Sequence, residues 1–324
     1  MSDIRRPLVT GGAGFIGSHL VDALLAQGAE RVVVVDNYFL GKEENLDDAR
    51  VAADDRLRVY REDAADPAAM GAICDEERPD VVFNLATKAL LYSFFNPPGA
   101  CRVNLDIALT LGELLRGGAY ERLVHLSSSE VYGTAQSVPM TEDHPLLAET
   151  TYAAGKAAAD LALLSYARMF DLDLRVVRPF NYYGPRQNEG AFAAVVPLTV
   201  RRIRMGEPPR IEGDGLQTRD FVYVGDTVDA ILALAADGPR GEVVNVGSGV
   251  ETPIGQIIET VAAVMGWDGP ITHDPARPAD VRRHVAGTAR AESLIGSVAR
   301  TSLRDGLADT VAWYLAQEEL ACSR

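Results

Sequence analysis

Tyr152 and Lys156 stand four residues apart in Tyr152-Ala153-Ala154-Gly155-Lys156. On a helix that spacing puts both side chains on one face, a turn apart. An ammonium beside a phenol favours the phenolate and draws its pKa toward working pH. The result is a base able to take the proton of an alcohol while hydride leaves the same carbon. The same lysine can hydrogen-bond a ribose of the hydride acceptor. Tyr-x-x-x-Lys occurs on many helices, so its weight comes from what precedes it. Twenty-four residues before Tyr152 lies Ser128, within Ser127-Ser128-Ser129-Glu130-Val131-Tyr132-Gly133. A hydroxyl there can hold the substrate hydroxyl beside Tyr152.

These groups need a scaffold that brings a hydride carrier to them. The stretch Val9-Thr10-Gly11-Gly12-Ala13-Gly14-Phe15-Ile16-Gly17 follows an apolar run and precedes a helical pattern from 15 to about 27. Strand, glycine turn and helix are the setting of a dinucleotide fingerprint. Gly11 permits the sharp turn, Gly14 leaves room for a pyrophosphate at the helix N-terminus, and Gly17 lets helix and strand approach. A second strand, 31–36, ends in Asp36, about 20 residues past the fingerprint, where a carboxylate accepts from ribose hydroxyls and repels a 2′-phosphate. Asn37 follows, with no arginine immediately after it. The cofactor expected is therefore NAD rather than NADP.

Further strands are expected at 57–60, 80–86, 122–128 and 174–179, with helices at 67–77, 97–115 and 150–170. This alternation belongs to an α/β fold with a doubly wound parallel sheet covered on both faces. The serine cluster then falls past a strand's C-terminal end, where open α/β sheets hold ligands. Asp63, after the third strand, can reach an adenine amino group, and the small Ala86-Thr87 pair lets a cofactor approach the fourth. After Pro179 the segments shorten and Pro and Gly become frequent. A Rossmann domain over residues 1–180, with a return near 225–250, and a smaller C-terminal α/β substrate lobe over 181–324 are expected.

The chain has 324 residues, 47% of them hydrophobic, and a formal charge of −15. The apolar share suffices for a full core, and no apolar stretch approaches membrane-spanning length. Nucleic acid and membrane surfaces, both polyanionic, are not expected partners. Cys74, Cys101 and Cys322 are scattered without redox or metal spacing, and the first strand starts too close to Met1 for a signal peptide, so a reducing cytoplasm is expected. No metal site is expected, because His19, His125, His144, His273 and His284 lack ligand spacing.

Together T-G-G-A-G-F-I-G-S-H-L, D-N-Y, S-S-S-E-V-Y-G, Y-A-A-G-K, R-P-F-N-Y-Y-G-P-R-Q and Q-T-R-D-F-V-Y-V-G-D resemble the extended short-chain dehydrogenase/reductase family, the nucleotide-sugar epimerases and dehydratases. The motifs run in the expected order from about residue 8 to 285. The resemblance implies a nucleotide-diphosphate sugar substrate and a homodimer through the helices near 97–117 and 150–170. It implies that Ser128, Ser129, Glu130, Tyr152 and Lys156 carry the chemistry. The cofactor would be lined by Gly11, Gly14, Phe15, Ile16, Gly17, Asp36, Asn37, Asp63, Ala64, Leu85, Ala86, Thr87 and Pro179, with Tyr152 and Lys156. The substrate would meet Lys88, Ser128, Asn181, Arg186, Val196, Arg219 and Arg282, the arginines supplying positive charge that the acidic total lacks.

The implied first step is removal of the C4 hydroxyl proton by Tyr152 with hydride transfer to NAD. A 4-epimerase needs nothing more, whereas a 4,6-dehydratase needs a base for the C5 proton. Glu130 stands where the family's dehydratases keep that glutamate, and where UDP-glucuronate decarboxylases share it. Dehydration is the reaction expected, with epimerisation and decarboxylation as alternatives. The sequence departs from the family at Asn84, where His is usual, at Lys88, where a small or polar residue is common, and at Gly287, where Asp is frequent. The loop from Ala86 to Asn96 is a residue short. Lys88 could pair with a carboxylate of a uronic acid.

Overall fold

The computed structural model describes residues 4–276 and 282–322. Its first part alternates β1 (Leu8–Thr10), α1 (Phe15–Ala26), β2 (Val32–Val35), α2 (Asp47–Ala53), β3 (Leu57–Tyr60), α3 (Pro67–Glu77), β4 (Val81–Asn84), α4 (Pro97–Arg116), β5 (Arg122–Leu126), α5 (Thr151–Phe170) and β6 (Asp173–Pro179). Then follow β7 (Asn181–Tyr183), α6 (Val195–Arg204), β8 (Arg210–Glu212), β9 (Thr218–Tyr223), α7 (Val224–Asp237), β10 (Val243–Val246), β11 (Glu251–Pro253), α8 (Ile254–Val264), β12 (Thr272–Asp274), α9 (Ala289–Ile295) and α10 (Leu303–Cys322).

Continuous apolar runs such as Val32–Val35 can be buried only in a sheet covered on both faces. Among the described residues, seven parallel strands form that sheet in the order β10-β6-β5-β4-β1-β2-β3. Successive side chains divide between two cores: Val9, Val34 and Phe83 face one with α1 and α7, while Leu8, Val33 and Val82 face the other with α3, α4 and α5. The order reverses at β1, with β2 on one side and β4 on the other. That reversal opens a crevice at the strands' C-terminal ends.

The glycine turn sits at this crevice. Gly11 has φ +70, and a Cβ on it would come within 2.8 Å of the Ala86 nitrogen. A Cβ on Gly17 would lie 2.1 Å from the Gly11 carbonyl oxygen. The turn therefore closes only because side chains are missing at both points. Asp66 caps α3 by accepting from the backbone N–H groups of Ala68 and Ala69, and α3 ends at Glu77.

The segment from 224 to 246 supplies α7, which packs on α1 and β6, and β10, which extends the sheet beside β6. Beyond β6, β7, β9 and β11 form a three-stranded sheet and β8 pairs with β12. A core of Val196, Val200, Phe221, Ile257, Val261, Leu307 and Tyr314 joins α6, α8 and α10 there. Among the described residues, no helix is long and apolar enough to cross a membrane.

Candidate active site

A cavity of about 540 Å³ runs from the glycine turn to the C-terminal part. α5 brings Tyr152 to its wall. Thr150 starts that helix by accepting from the Ala153 N–H at 3.2 Å. A Cβ on Gly155 would lie 2.4 Å from the Cys101 carbonyl oxygen, so α5 presses directly on α4. The Tyr152 N–H donates to Ser93 Oγ at 2.9 Å. Its phenol is buried, with the hydroxyls of Ser128 and Thr87 beside it. Ser128 also caps a 3₁₀ turn, Ser129–Tyr132, accepting from the Glu130 N–H at 3.3 Å. The turn sets Glu130 in the lining, close enough for its charge to act on both Tyr152 and Tyr182, while Ser129 is buried.

The electrostatics differ from the simple expectation of an ammonium depressing a phenol. Burial raises the Tyr152 pKa, Tyr182 and Glu130 add to the rise, and the Ser128 and Thr87 hydrogen bonds oppose it. Lys156 spends a hydrogen bond on the Leu126 carbonyl at 2.8 Å rather than on the phenol. Burial lowers its own pKa to about 8, against the upward pull of Asp160. The phenol is thus held protonated here, and the ammonium's hydrogen bond goes to Leu126 rather than to it.

On the dinucleotide side, Gly11, Gly14, Phe15, Ile16, Gly17, Asp36, Asn37, Asp63, Ala64, Leu85, Ala86 and Thr87 all line the cavity. Asp36 accepts from the N–H groups of Ala13 at 2.9 Å and Tyr38 at 2.8 Å. Asn37 donates to Asp63 at 3.2 Å, which links the segments that follow the C-terminal ends of β2 and β3. Pro179 lies buried in β6, paired with Val246, and is not among the lining residues. A bare glycine turn at a helix N-terminus with a carboxylate at the next strand's end fits a dinucleotide with a free ribose 2′-hydroxyl.

On the substrate side, Lys88, Asn181, Arg186, Val196 and Arg219 line the same cavity. Lys88 places its Nζ 3.3 Å from the Phe39 ring centroid and feels the charge of Asp63, which sets it toward the dinucleotide end. The Arg186 guanidinium is committed to Asp22 at 2.6 Å and Asp48 at 2.8 Å. Arg219 donates to the Thr218 carbonyl at 2.8 Å. Arg282 is not in the lining: it is exposed and forks onto Asp214 at 2.8 and 3.0 Å. Among the described residues, no three His, Cys, Asp or Glu gather to hold a metal ion.

Residues 7–247 match the NAD dependent epimerase/dehydratase family. The chain belongs to that family. A UDP-glucose 4-epimerase of Mycolicibacterium smegmatis is 37% identical over 95% of this chain and 98% of its own. The structure of a UDP-glucose 4-epimerase with UDP-glucose from Thermotoga maritima superposes with TM-score 0.91 at 32% identity, covering 97% of this chain and 99% of that one. The dTDP-glucose 4,6-dehydratase DesIV of Streptomyces venezuelae, with NAD and TYD bound, gives TM-score 0.90 at 32% identity, covering 97% and 98%.

Within this epimerase/dehydratase frame, NAD is the cofactor. Some residues at the site were not singled out from the sequence: Lys42, Tyr182 and Gln217 in the lining, and Ser93 behind the Tyr152 backbone. Ser93 and Tyr182 carry no local signal, since their roles depend on contacts with Tyr152 across the fold. Lys42 had one. Lysine occurs in this chain only at 42, 88 and 156, amid 31 basic residues, and all three line the cavity.

Proposed function

We propose that the protein oxidises C4 of a nucleotide-diphosphate sugar to a transient ketone and then removes water across C5 and C6, as a 4,6-dehydratase. The observation that carries this reading is the Glu130 carboxylate in the cavity wall, within electrostatic reach of Tyr152 and Tyr182. NAD, when bound, supplies the hydride acceptor and later the hydride donor. The Ser128 and Thr87 hydroxyls hold Tyr152 for exchange of the C4 hydroxyl proton. The ketone acidifies the C5 proton, and Glu130 takes it; the same carboxyl group, then protonated, delivers the proton to the departing 6-hydroxyl. The nucleotide diphosphate is assigned to Asn181 and Arg219, because both line the far end of the cavity. Arg186 and Arg282 contribute there only if they leave their present carboxylates.

A second reading is 4-epimerisation, which needs Tyr152 but not Glu130. It is favoured by the similarity to UDP-glucose 4-epimerases. Incubation with UDP-glucose, dTDP-glucose, GDP-mannose and UDP-glucuronate in deuterated water, followed by mass spectrometry, separates the readings. Loss of one water with deuterium gained is expected. An isomer of unchanged formula selects epimerisation, and loss of carbon dioxide selects decarboxylation.

A further inference from the structure

Three loops meet at one rim of the cavity, and each brings aromatic rings. Phe39 follows β2, its N–H donating to Asn37 Oδ1 at 3.1 Å. Tyr92 lies in a 3₁₀ turn, Leu90–Phe94, ahead of α4, and Phe95 ends that turn. Phe192 belongs to the segment between β7 and α6. Its ring centroid is 5.4 Å from that of Phe95 and 6.0 Å from that of Tyr92, both edge-on, and 6.5 Å from that of Phe39 in a stacked arrangement. Phe39 and Tyr92 meet edge-on at 5.2 Å. Phe39 and Phe192 line the cavity, while Phe39 is 38% and Phe95 75% exposed. Rings with the cavity on one side and water on the other form a roof.

The roof adjoins the reacting end. Ser93, the residue after Tyr92, accepts from the Tyr152 N–H at 2.9 Å. Lys88 braces the Phe39 ring with its Nζ 3.3 Å from the centroid, and its neighbour Thr87 stands beside the Tyr152 phenol.

The segment that carries Phe192 is tied at its feet. The Tyr314 hydroxyl donates to the Gln187 carbonyl, Arg201 donates to the Glu189 carbonyl at 2.8 Å, and Arg204 pairs with the Glu189 carboxylate at 3.0 Å. Asn188 closes a small turn, accepting from the Gly190 N–H at 3.1 Å and donating to the Ala191 carbonyl. Ala194 then caps α6. Among the described residues, no hydrogen bond joins 190–194 to the seven-stranded part, so rings make the crossing. Phe192 also has φ +67, a left-handed backbone that bulky residues rarely adopt. Ring contacts therefore hold a conformation that relaxes without them. A strained tip between fixed feet, docked by apolar contact, has two arrangements close in energy.

We propose that Phe192 is the latch of a closing roof. Docked on Phe39, Tyr92 and Phe95, it seals this end of the cavity during turnover; released, it admits and discharges the nucleotide sugar. The retention it provides rests on the C4 oxidation proposed above. In that step C4 gives its hydride to NAD and its hydroxyl proton to the protein, and a ketone waits beside reduced nicotinamide. A ketone that escapes in this interval leaves the protein carrying reduced cofactor and unable to oxidise the next sugar.

Full-length protein carrying para-fluorophenylalanine at 192 alone reports the latch by fluorine NMR, because the neighbouring rings shift its signal when docked. Loss of one aromatic pair moves such an equilibrium by about two- to tenfold. Phe95→Ala should therefore move the signal toward that of the unfolded chain, and Phe95 is exposed enough for its loss to leave the fold intact. An unmoved signal overturns the latch. With UDP-glucose, dTDP-glucose or GDP-mannose as substrate, near-ultraviolet absorbance reads bound reduced nicotinamide. Phe95→Ala, and more strongly Phe192→Ala, should accumulate it to the level of the enzyme as turnover stops, with ketone recovered from solution. Phe192→Tyr keeps the ring and should not. A merely structural role would lower stability and rate without escape of ketone. A signal that moves while the variants cycle without trapped cofactor overturns the retention. If it moves but no sugar reduces the cofactor in parent or variant, the C4 oxidation fails and the docked and released states stand.

Discussion

At the scale of single residues, the argument rests on one buried phenol and one carboxylate. Tyr152→Phe removes the hydroxyl that Ser128 and Thr87 engage and no atom that the glycine turn needs. Turnover should fall by about 10²-fold or more, the scale of a lost proton-transfer group, while NAD binding measured by fluorescence titration is unchanged. Glu130→Gln separates the readings of the reaction: in a dehydratase it should oxidise C4 and stop, so reduced nicotinamide accumulates in the near ultraviolet. Product formation at the parent rate would instead select epimerisation. The types and spacings of Ser128, Glu130, Tyr152 and Lys156 are legible in the sequence because one helix and one strand end deliver them. The fate of the arginines is not. Arg282 meets Asp214 across 68 positions and Arg186 meets Asp22 across 164, and no local pattern announces a partner that distant.

At the scale of elements, the close contact of α4 and α5 sets where Tyr152 stands. Gly155→Val puts a branched side chain against the Cys101 carbonyl, whose oxygen is already 2.4 Å from an added Cβ. Overpacking of this kind should cost about 1–3 kcal/mol in urea unfolding and reduce turnover with it. Thr150→Ala removes the cap of α5 and should cost about 1 kcal/mol. The long amphipathic helices and the valine runs are visible in sequence, with ends close to those observed: 67–77 is seen as α3 and 57–60 as β3. The three-residue strands β7, β8, β11 and β12 are not, because three residues span only one and a half periods of alternation, too few to stand out from a loop. β10 reads as an apolar run near the expected return, but its place beside β6 depends on α7 folding back over α1.

At the scale of the whole molecule, two features can be tested. Leu109 on α4 and Leu161, Met169 and Phe170 on α5 leave large apolar side chains exposed on the two helices expected to pair between copies. We expect a dimer by sedimentation, and Leu161→Glu to shift it to monomer. The second feature is acid sensitivity. His19 on α1 meets the Pro185 carbonyl at 2.9 Å, and His284 meets the Ser129 carbonyl at 3.2 Å. Both bonds tie segments beyond β6 to the seven-stranded part. Burial is the main reason both histidines fall to about 4, with Arg186 lowering His19 further and Arg219 lowering His284. An unfolded histidine binds its proton below about pH 6.5, whereas these two stay neutral in the fold until about pH 4. In that window the unfolded chain holds more protons, so stability falls as pH drops, by about 1.4 kcal/mol per pH unit for each histidine. Asp22, Asp36 and Asp220 are shifted upward by burial and act in the opposite sense at the lower end. The loss should therefore be steepest between about pH 6 and 5 and flatten toward pH 4. Urea unfolding at successive pH values measures it, and because burial holds His125 neutral as well, His284→Gln should remove about a third of the slope. A parent profile flat from pH 6.5 to 5 would show that these two histidines do not stay neutral in the fold.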